Sequence, residues 1–202
     1  MPKTLSPKAL SPLALAAVLA TAPIAASAEM ARYEIDASHT VVAFLVGHVG
    51  YSNVLGRFSD VSGYFMYDPE TRELGEVSVD VGLGSVESDN EARDNHVQSA
   101  DFLDVEANPM MTFTANGGEA TSDTAGTVAG TLTLRGQENP LSLSVTLNKV
   151  AEYPFGHKKQ TVGISARGSL MRSEYGMDYG IANGLVGDEV QILIEAEAIR
   201  AD

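Results

Sequence analysis

The strict alternation of apolar and polar residues is the feature that most constrains the fold. It is clearest in two neighbouring segments, 127–134 and 141–148, which are separated by a polar turn at 135–139. In the first segment Leu132 lies between two threonines, and in the second Leu143 lies between two serines. Successive side chains of a β-strand point to opposite faces, so each segment has one apolar and one polar face. The pattern predicts two antiparallel strands whose apolar faces cover a core or a lumen.

Similar patterns recur along most of the chain. Gly56 and Gly63 would allow the strand predicted over residues 53–68, the longest of the additional strands, to bend. These strands are predicted over residues 33–36, 40–48, 53–68, 76–84, 110–114, 162–170 and 190–196. Short, regularly spaced strands with one apolar face each are typical of an antiparallel barrel or sandwich. About eight strands enclose a lumen that is either filled by side chains or holds one small ligand, and the pattern leaves both alternatives open.

Residues 84–115 interrupt this β pattern. Ser88 and Glu91 have the spacing of a capping box, which predicts a short helix over residues 90–98. Residues 101–104 predict a turn, and a following proline ends the insert before a strand resumes. We therefore predict a barrel with one helical insert that acts as a lid.

Residues 1–28 have the composition of a signal peptide. Two lysines precede an apolar run from Leu13 to Ala26, and Ala26-Ser27-Ala28 fits the small-x-small rule for cleavage. The run is broken by a proline and is shorter than the roughly 20 residues that a transmembrane helix needs. We expect cleavage after Ala28, export to the periplasm and no integral membrane span. The mature chain, residues 29–202, is then a single domain.

The charge and the cysteine content narrow the classes of partner. The formal net charge is −14, although residues 1–28 contribute two lysines and no acid. So acidic a surface argues against nucleic acids and anionic membranes as partners. Because the sequence contains no cysteine, the chain forms no disulfide and has no thiol nucleophile.

The four histidines do not have the spacing of a zinc or haem site, so we expect neither a metal nor another cofactor. His39 and His48 are separated by an odd number of residues and would face opposite sides of one strand. His157 lies in a turn that we predict to be exposed. His48 has the same strand phase as Phe44, and two interpretations are open. It is either a hydrogen-bonded side chain near the barrel end or a contact to the polar head of a ligand.

Arg93, Asp94 and His96 are the other candidates for acid–base chemistry. Residues two apart do not face each other on a helix, so Asp94 would not meet His96. We interpret Arg93 and Asp94 as anchors that tie the insert to strand ends by ion pairs, and Arg172 as part of a similar structural pair. Catalysis by the Arg93–His96 cluster is the alternative. The sequence has no nucleophile elbow, phosphate-binding loop or dinucleotide motif.

Several blocks of residues between Tyr33 and the C-terminus resemble the YceI family of exported, lipocalin-like proteins. They are Tyr33-x-Ile35-Asp36-x-x-His39-Thr40, His48 with Tyr51-Ser52 and Gly56, Arg93-Asp94-x-His96 with Asp101-Phe102 and Pro109, Gly130-x-Leu132-x-Leu134-x-Gly136, and Arg172-Ser173-Glu174-Tyr175-Gly176-Met177. The block around Arg93 is the most specific. Glu174 and residues 137–139 depart from the family pattern, and these departures concern loop geometry.

The resemblance implies an all-β fold: an antiparallel eight-stranded lipocalin-like barrel that holds a long apolar ligand of polyisoprenoid or fatty-chain type. Strand phase and the resemblance together give the candidate ligand-binding residues Phe44, His48, Phe58, Phe65, Phe113, Leu132, Leu143, Ile164 and Ile192. We predict a periplasmic carrier and not an enzyme. The alternatives are an enzyme that modifies such a lipid and a structural barrel with a filled core. The sequence leaves open whether the protein forms a homodimer.

Overall fold

The computed structural model describes Met1 and residues 30–202, which form twelve β-strands and one α-helix. The helix, α1, spans Glu91–Gln98. The strands are β1 (Ala31–Ile35), β2 (Val41–His48), β3 (Ser52–Phe58), β4 (Val61–Tyr67), β5 (Leu74–Gly82), β6 (Val86–Glu87), β7 (Met110–Asn116), β8 (Glu119–Ala120), β9 (Ala125–Leu134), β10 (Gln137–Glu152), β11 (Gln160–Met171) and β12 (Val186–Arg200). The predicted signal peptide, residues 1–28, lies outside the described residues except for Met1.

Hydrogen bonding closes the sheet into a barrel. Eight strands follow one another in the order β1, β4, β5, β7, β9, β10, β11 and β12, and all neighbours are antiparallel. β12 pairs again with β1, with Arg200 opposite Tyr33. β2, β3 and β6 extend β1, β4 and β5 beyond short breaks, and β2 pairs with both β12 and β3. The predicted antiparallel eight-stranded barrel with one short helix is confirmed.

The predicted strand over residues 53–68 is divided at Ser59 and Asp60. The hydroxyl oxygen of Ser85 accepts hydrogen bonds from the backbone N–H groups of both residues, at 3.2 and 3.1 Å. These donors therefore have a partner outside the strand ladder, which allows the pairing to stop without orphaned backbone groups.

Two glycines in β3 and β4 allow close contacts that a side chain would prevent. A Cβ atom on Gly56 would lie 2.2 Å from the ring of Phe44. Gly63 has a φ of 131°, which disfavours any residue with a Cβ. A Cβ atom there would lie 2.2 Å from the carbonyl oxygen of Ser78 on the neighbouring strand. Gly63 is thus required by both conformation and space.

The two ends of the barrel are built from different segments. The lid end consists of the β2–β3 turn, residues 88–109 with α1, the β9–β10 turn and residues 172–185. The mouth end consists of the β4–β5 turn, the loop 117–124 and the β10–β11 turn. The connections between barrel strands therefore lie at one end of the barrel or the other, as in an up-and-down barrel.

Buried apolar residues form two clusters inside the barrel. The cluster toward the lid end includes Leu83 and Tyr175, which are 0% and 1% exposed. The cluster toward the mouth end includes Tyr33, whose ring stacks on Phe65 with the centroids 5.7 Å apart. The Tyr33 hydroxyl donates a hydrogen bond to Gln160, so this buried polar group has a partner. The clusters pack the two ends of the barrel.

The helix α1 has the predicted extent but a different cap. Asn90 is the N-cap residue, and its side-chain oxygen accepts a hydrogen bond from the backbone N–H of Arg93 at 3.0 Å. Ser88 instead donates to Asp94 and accepts from Nε of Arg93. The predicted capping box is wrong because Asn90 is an equally good capping residue and lies directly before the helix. No helix among the described residues is long and apolar enough to cross a membrane.

We expect Gly63→Ala to destabilise the barrel by about 2–4 kcal/mol, because the new methyl group meets a backbone carbonyl at a positive φ. Gly163→Ala is the matched control, since the nearest atom to its Cβ is 4.0 Å away, and it should change stability by less than about 1 kcal/mol. Urea unfolding of both variants and the parent measures the difference. Equal stability of the two variants would contradict the role of Gly63.

Candidate functional site

An apolar cavity of about 350 Å³ lies inside the barrel. Small-molecule sites in proteins typically enclose about 300–1,000 Å³. The structure brings together eight of the nine predicted ligand-binding residues on the wall of this cavity: Phe44, Phe58, Phe65, Phe113, Leu132, Leu143, Ile164 and Ile192. The side chains of the barrel therefore do not fill its lumen.

The cavity wall follows from the alternation of the sequence. In β10, serine and threonine residues separate the side chains that line the cavity: Leu141, Leu143, Val145 and Leu147. Leu132 of β9 lies opposite Phe113 of β7, and both line the cavity. Directly paired residues of antiparallel strands point to the same face of the sheet. Period-two alternation in each strand thus becomes a continuous apolar surface around the lumen.

His48 is the predicted site residue that does not line the cavity. It is the last residue of β2, opposite Ser52, and it is exposed. The chain then turns through Val49 and Gly50, with φ values of 50° and 72°. The strand phase that His48 shares with Phe44 does not bring it to the lumen, because β2 ends at the rim, where neighbouring strands no longer enclose its inner face.

The lid end of the cavity is closed by the insert and by the segment after β11. Val97, Phe102 and Leu103 of the insert line the cavity, together with Met177. Leu103 and Met177 are only 8% and 5% exposed. The predicted role of the insert as a lid agrees with this placement, but its contribution is an apolar cover and not a polar cluster.

Arg93, Asp94 and His96 do not line the cavity. Arg93 donates from Nε to the Ser88 hydroxyl at 2.7 Å, and it forms no ion pair with any residue of the described chain. His96 Nε2 lies 3.0 Å from a carboxylate oxygen of Asp101. The predicted ion pair of Arg93 is wrong, because the acceptors within its reach are the hydroxyl and the carbonyl oxygen of Ser88, two residues before the helix cap. The three side chains do not form one acid–base cluster.

Arg172 lines the lid end of the cavity, a position that the sequence analysis missed. It is 2% exposed, and its Cζ lies 5.6 Å from the ring centroid of Phe102. Its guanidinium donates to the backbone carbonyl oxygens of Met177, Tyr179, Val186 and Gly187. Between residues 30 and 202 it has no ion-pair partner, so the predicted structural pair is wrong. Burial lowers the pKa of the Arg172 side chain, which still remains charged at neutral pH.

The cavity opens at the mouth end. Its lining there includes exposed residues of the loop before β9, among them Glu119 and Ser122. Arg72 of the β4–β5 turn pairs with Asp123 of this loop, with Nη1 and Oδ1 2.6 Å apart. The two side chains are 46% and 90% exposed, so the pair contributes only about 0–1 kcal/mol. The sequence analysis did not predict that the loop 117–124 lines the cavity, because the loop is polar and only the fold places it over the lumen.

Asp36, His39 and Glu197 form the group of described residues that could hold a metal ion, and they lie outside the cavity. Their ligand atoms lie within 4.8 Å of one another. His39 ends a short 3₁₀ turn before β2, so it does not share a strand with His48. Its Nδ1 lies 2.8 Å from Asp36, and this carboxylate raises the pKa of His39. Hydrogen bonds from Ser38 lower the pKa of Asp36.

Comparison with known proteins places the whole barrel in one family. The model of the YceI-like domain matches residues 33–198. A UPF0312 protein of Pseudomonas aeruginosa is 34% identical over 180 residues, which cover 87% of this chain and 91% of that protein. These matches include the strands that line the cavity and the insert that closes it.

Solved structures share the same architecture. The crystal structure of the YceI protein of Campylobacter jejuni is 31% identical, with a TM-score of 0.70, and the match covers 77% of this chain and 90% of that one. A polyisoprenoid binding domain from Saccharophagus degradans is 16% identical, with a TM-score of 0.61, and the match covers 85% of this chain and 99% of that domain. The second comparison shows a likeness of fold.

We expect Arg93→Ala to destabilise the protein by about 1–3 kcal/mol, because it removes two hydrogen bonds from a charged donor to Ser88. Arg57→Ala is the control. It breaks an exposed ion pair with Glu87 and should cost about 0–1 kcal/mol. Thermal and urea unfolding measure both changes. A loss of about 3–5 kcal/mol in Arg93→Ala would instead indicate that a buried partner charge had been stranded.

Proposed function

Because the chain belongs to the YceI-like domain family, we propose that it is an exported carrier of a long-chain lipid of the polyisoprenoid or fatty-chain type. The lipid chain lies in the barrel lumen and is kept out of water there. One observation carries the proposal: the closed barrel encloses a cavity to whose wall each of the eight barrel strands contributes apolar side chains.

The size of the hydrophobic effect indicates what sets the affinity. Each CH₂ group removed from water contributes about 0.8 kcal/mol, so a chain of some 20 carbons gains roughly 16 kcal/mol before the costs of ordering are subtracted. An exposed pair such as Arg72–Asp123 offers a head group only about 0–1 kcal/mol at the mouth. The apolar wall therefore determines whether a lipid binds. The wall selects for an apolar chain, and the choice of a polyisoprenoid rests on the family.

A binding role is favoured over catalysis by the positions of the candidate acid–base groups. His48 is exposed at the rim, and Arg93, Asp94 and His96 do not line the cavity. A general acid or base has to come within hydrogen-bond reach of the group with which it exchanges a proton. A chain buried in the lumen lies beyond the reach of these side chains. A structural barrel with a filled core is disfavoured by the cavity itself.

We also propose that residues 1–28 direct export and are then removed. The mature protein isolated from a periplasmic fraction should have the intact mass of residues 29–202, with Glu29 as its first residue. Ala28→Phe is the control variant, because a bulky residue violates the small-residue rule for cleavage and should leave the precursor uncleaved. Retention of residues 1–28 in the parent protein would refute this part of the proposal.

The carrier function is tested by Leu132→Trp. Leu132 lines the cavity, so a larger side chain should extend into open space and exclude the lipid chain. We expect the purified parent to release a lipid into organic solvent and the folded variant to release none. In a filled core the same substitution would overpack the interior and cost about 1–3 kcal/mol. Mass spectrometry of the extracts and thermal unfolding measure the two effects.

Ala129→Trp is the matched control for this experiment. Ala129 is an exposed residue of the same strand and does not line the cavity, so its variant should keep both the lipid and the stability of the parent. A parent without extractable lipid, together with a Leu132→Trp variant that melts far below it, would defeat the carrier function.

A further inference from the structure

Arg172 is a buried charge that has no carboxylate partner among residues 30–202. Its exposure is 2%, and its hydrogen-bond acceptors among the described residues are four backbone carbonyl oxygens. Carbonyl groups solvate a guanidinium but do not neutralise it. A buried charge is costly unless an opposite charge compensates it, so the site favours an anion.

Asp188, an acidic residue of this region, already has other hydrogen-bond partners. The carboxylate of Asp188 accepts hydrogen bonds from the backbone N–H of Ser173 at 2.9 Å and from its hydroxyl at 2.8 Å. Asp178 is exposed. Neither lies close enough to Arg172 to form an ion pair. Both attract the guanidinium only from a distance.

The hydrogen-bonding capacity of Arg172 is not exhausted. A guanidinium has five N–H donors. Arg172 donates one hydrogen bond from Nε, one from Nη1 and two from Nη2. One N–H group of Nη1 therefore has no acceptor in residues 30–202. The side chain also lines the cavity. A ligand atom at the lid end can therefore meet a charged donor that the protein holds in place.

We propose that Arg172 anchors the anionic head group of the bound lipid, so that the lipid lies with its carboxylate or phosphate at the lid end and its chain toward the mouth. This inference rests on the carrier function proposed above and adds to it the chemical class and the orientation of the ligand: an anionic amphiphile, bound head first.

The charges at the mouth end favour this orientation over the reverse one. Arg72, the arginine that lines the mouth, is already paired with Asp123. Lys158 and Lys159 of the β10–β11 turn do not line the cavity, whereas Glu119 lines the mouth and is exposed, so two carboxylates and one cation line this end. An anionic head group at the mouth would meet these like charges. At the lid end, Arg172 is the one charged residue among the described residues that line the cavity, and the site excludes water, so electrostatic attraction is stronger there.

The head-group preference is measured on the unmodified, delipidated protein with palmitate and hexadecanol, which share one chain length. We expect palmitate to bind about tenfold more tightly, because a charged pair replaces a neutral hydrogen bond at the anchor. Equal affinity for the two compounds would overturn the anchor and leave the carrier function standing. Failure of both compounds to bind would defeat the carrier function and the anchor together.

The orientation is measured independently with spin-labelled stearate. A label next to the carboxylate should broaden the NMR signal of the Met177 methyl group at the lid end. A label at the end of the chain should broaden that of Ala120 at the mouth. The reverse pattern would refute head-first binding.

Two substitutions test whether Arg172 causes the preference for palmitate over hexadecanol. Arg172→Gln should reduce the preference for palmitate to about twofold or less. Arg167→Gln is the control, because Arg167 pairs with Glu195 on the outside of the barrel and should leave the preference unchanged. Loss of the preference in Arg72→Gln, with Arg172→Gln unaffected, would move the anchor to the mouth. Both wild-type measurements decide the proposal even if Arg172→Gln does not fold.

Discussion

The structure depends on the hydrogen bonds that join β12 to β1. Without that pairing the sheet would have two exposed edges, and its backbone donors and acceptors would invite pairing with other chains. With it, every barrel strand has two neighbours, and each side chain must point either into the lumen or out to solvent. The alternation in the sequence is meaningful only under this closure, because it assigns the leucines and isoleucines to the inside and the serines and threonines to the outside.

Closure also explains how the two ends came to differ. An up-and-down barrel places all its connections at the two rims, so functional variation is confined to the loops there. At the lid end a long insert and the segment after β11 cover the lumen with buried apolar side chains around one buried arginine. At the mouth end a polar loop and a tight turn meet through one exposed ion pair. The middle of the cavity is apolar throughout, whereas its two ends differ in polarity and in how they are covered.

The period-two alternation predicted antiparallel strands with one apolar face each, and the family resemblance reduced the choice between barrel and sandwich to an eight-stranded barrel. Phe113 and Leu132 could be assigned to the lumen from their strand phase and the resemblance, and they pair across β7 and β9. His48 shows the limit of this reasoning: phase gives a face but not whether neighbouring strands still enclose it. Arg172 shows another limit, since its partners are carbonyl groups of residues 177–187 that only the folded chain brings around it. No spacing in the sequence encodes that arrangement.

The unfilled lumen and the buried arginine both lower the stability of the folded barrel. Protein interiors are normally packed as closely as organic crystals, so a barrel whose own side chains do not fill its lumen forgoes contacts that would otherwise stabilise it. A charge desolvated at the closed end of the same space adds a second cost. An anionic amphiphile would offset both at once, since its chain supplies the missing contacts and its head group supplies the missing charge. A ligand that binds only the folded state also stabilises that state. In the proposed carrier, the features that cost stability are therefore those that would select the ligand, so stability and recognition would depend on the same side chains.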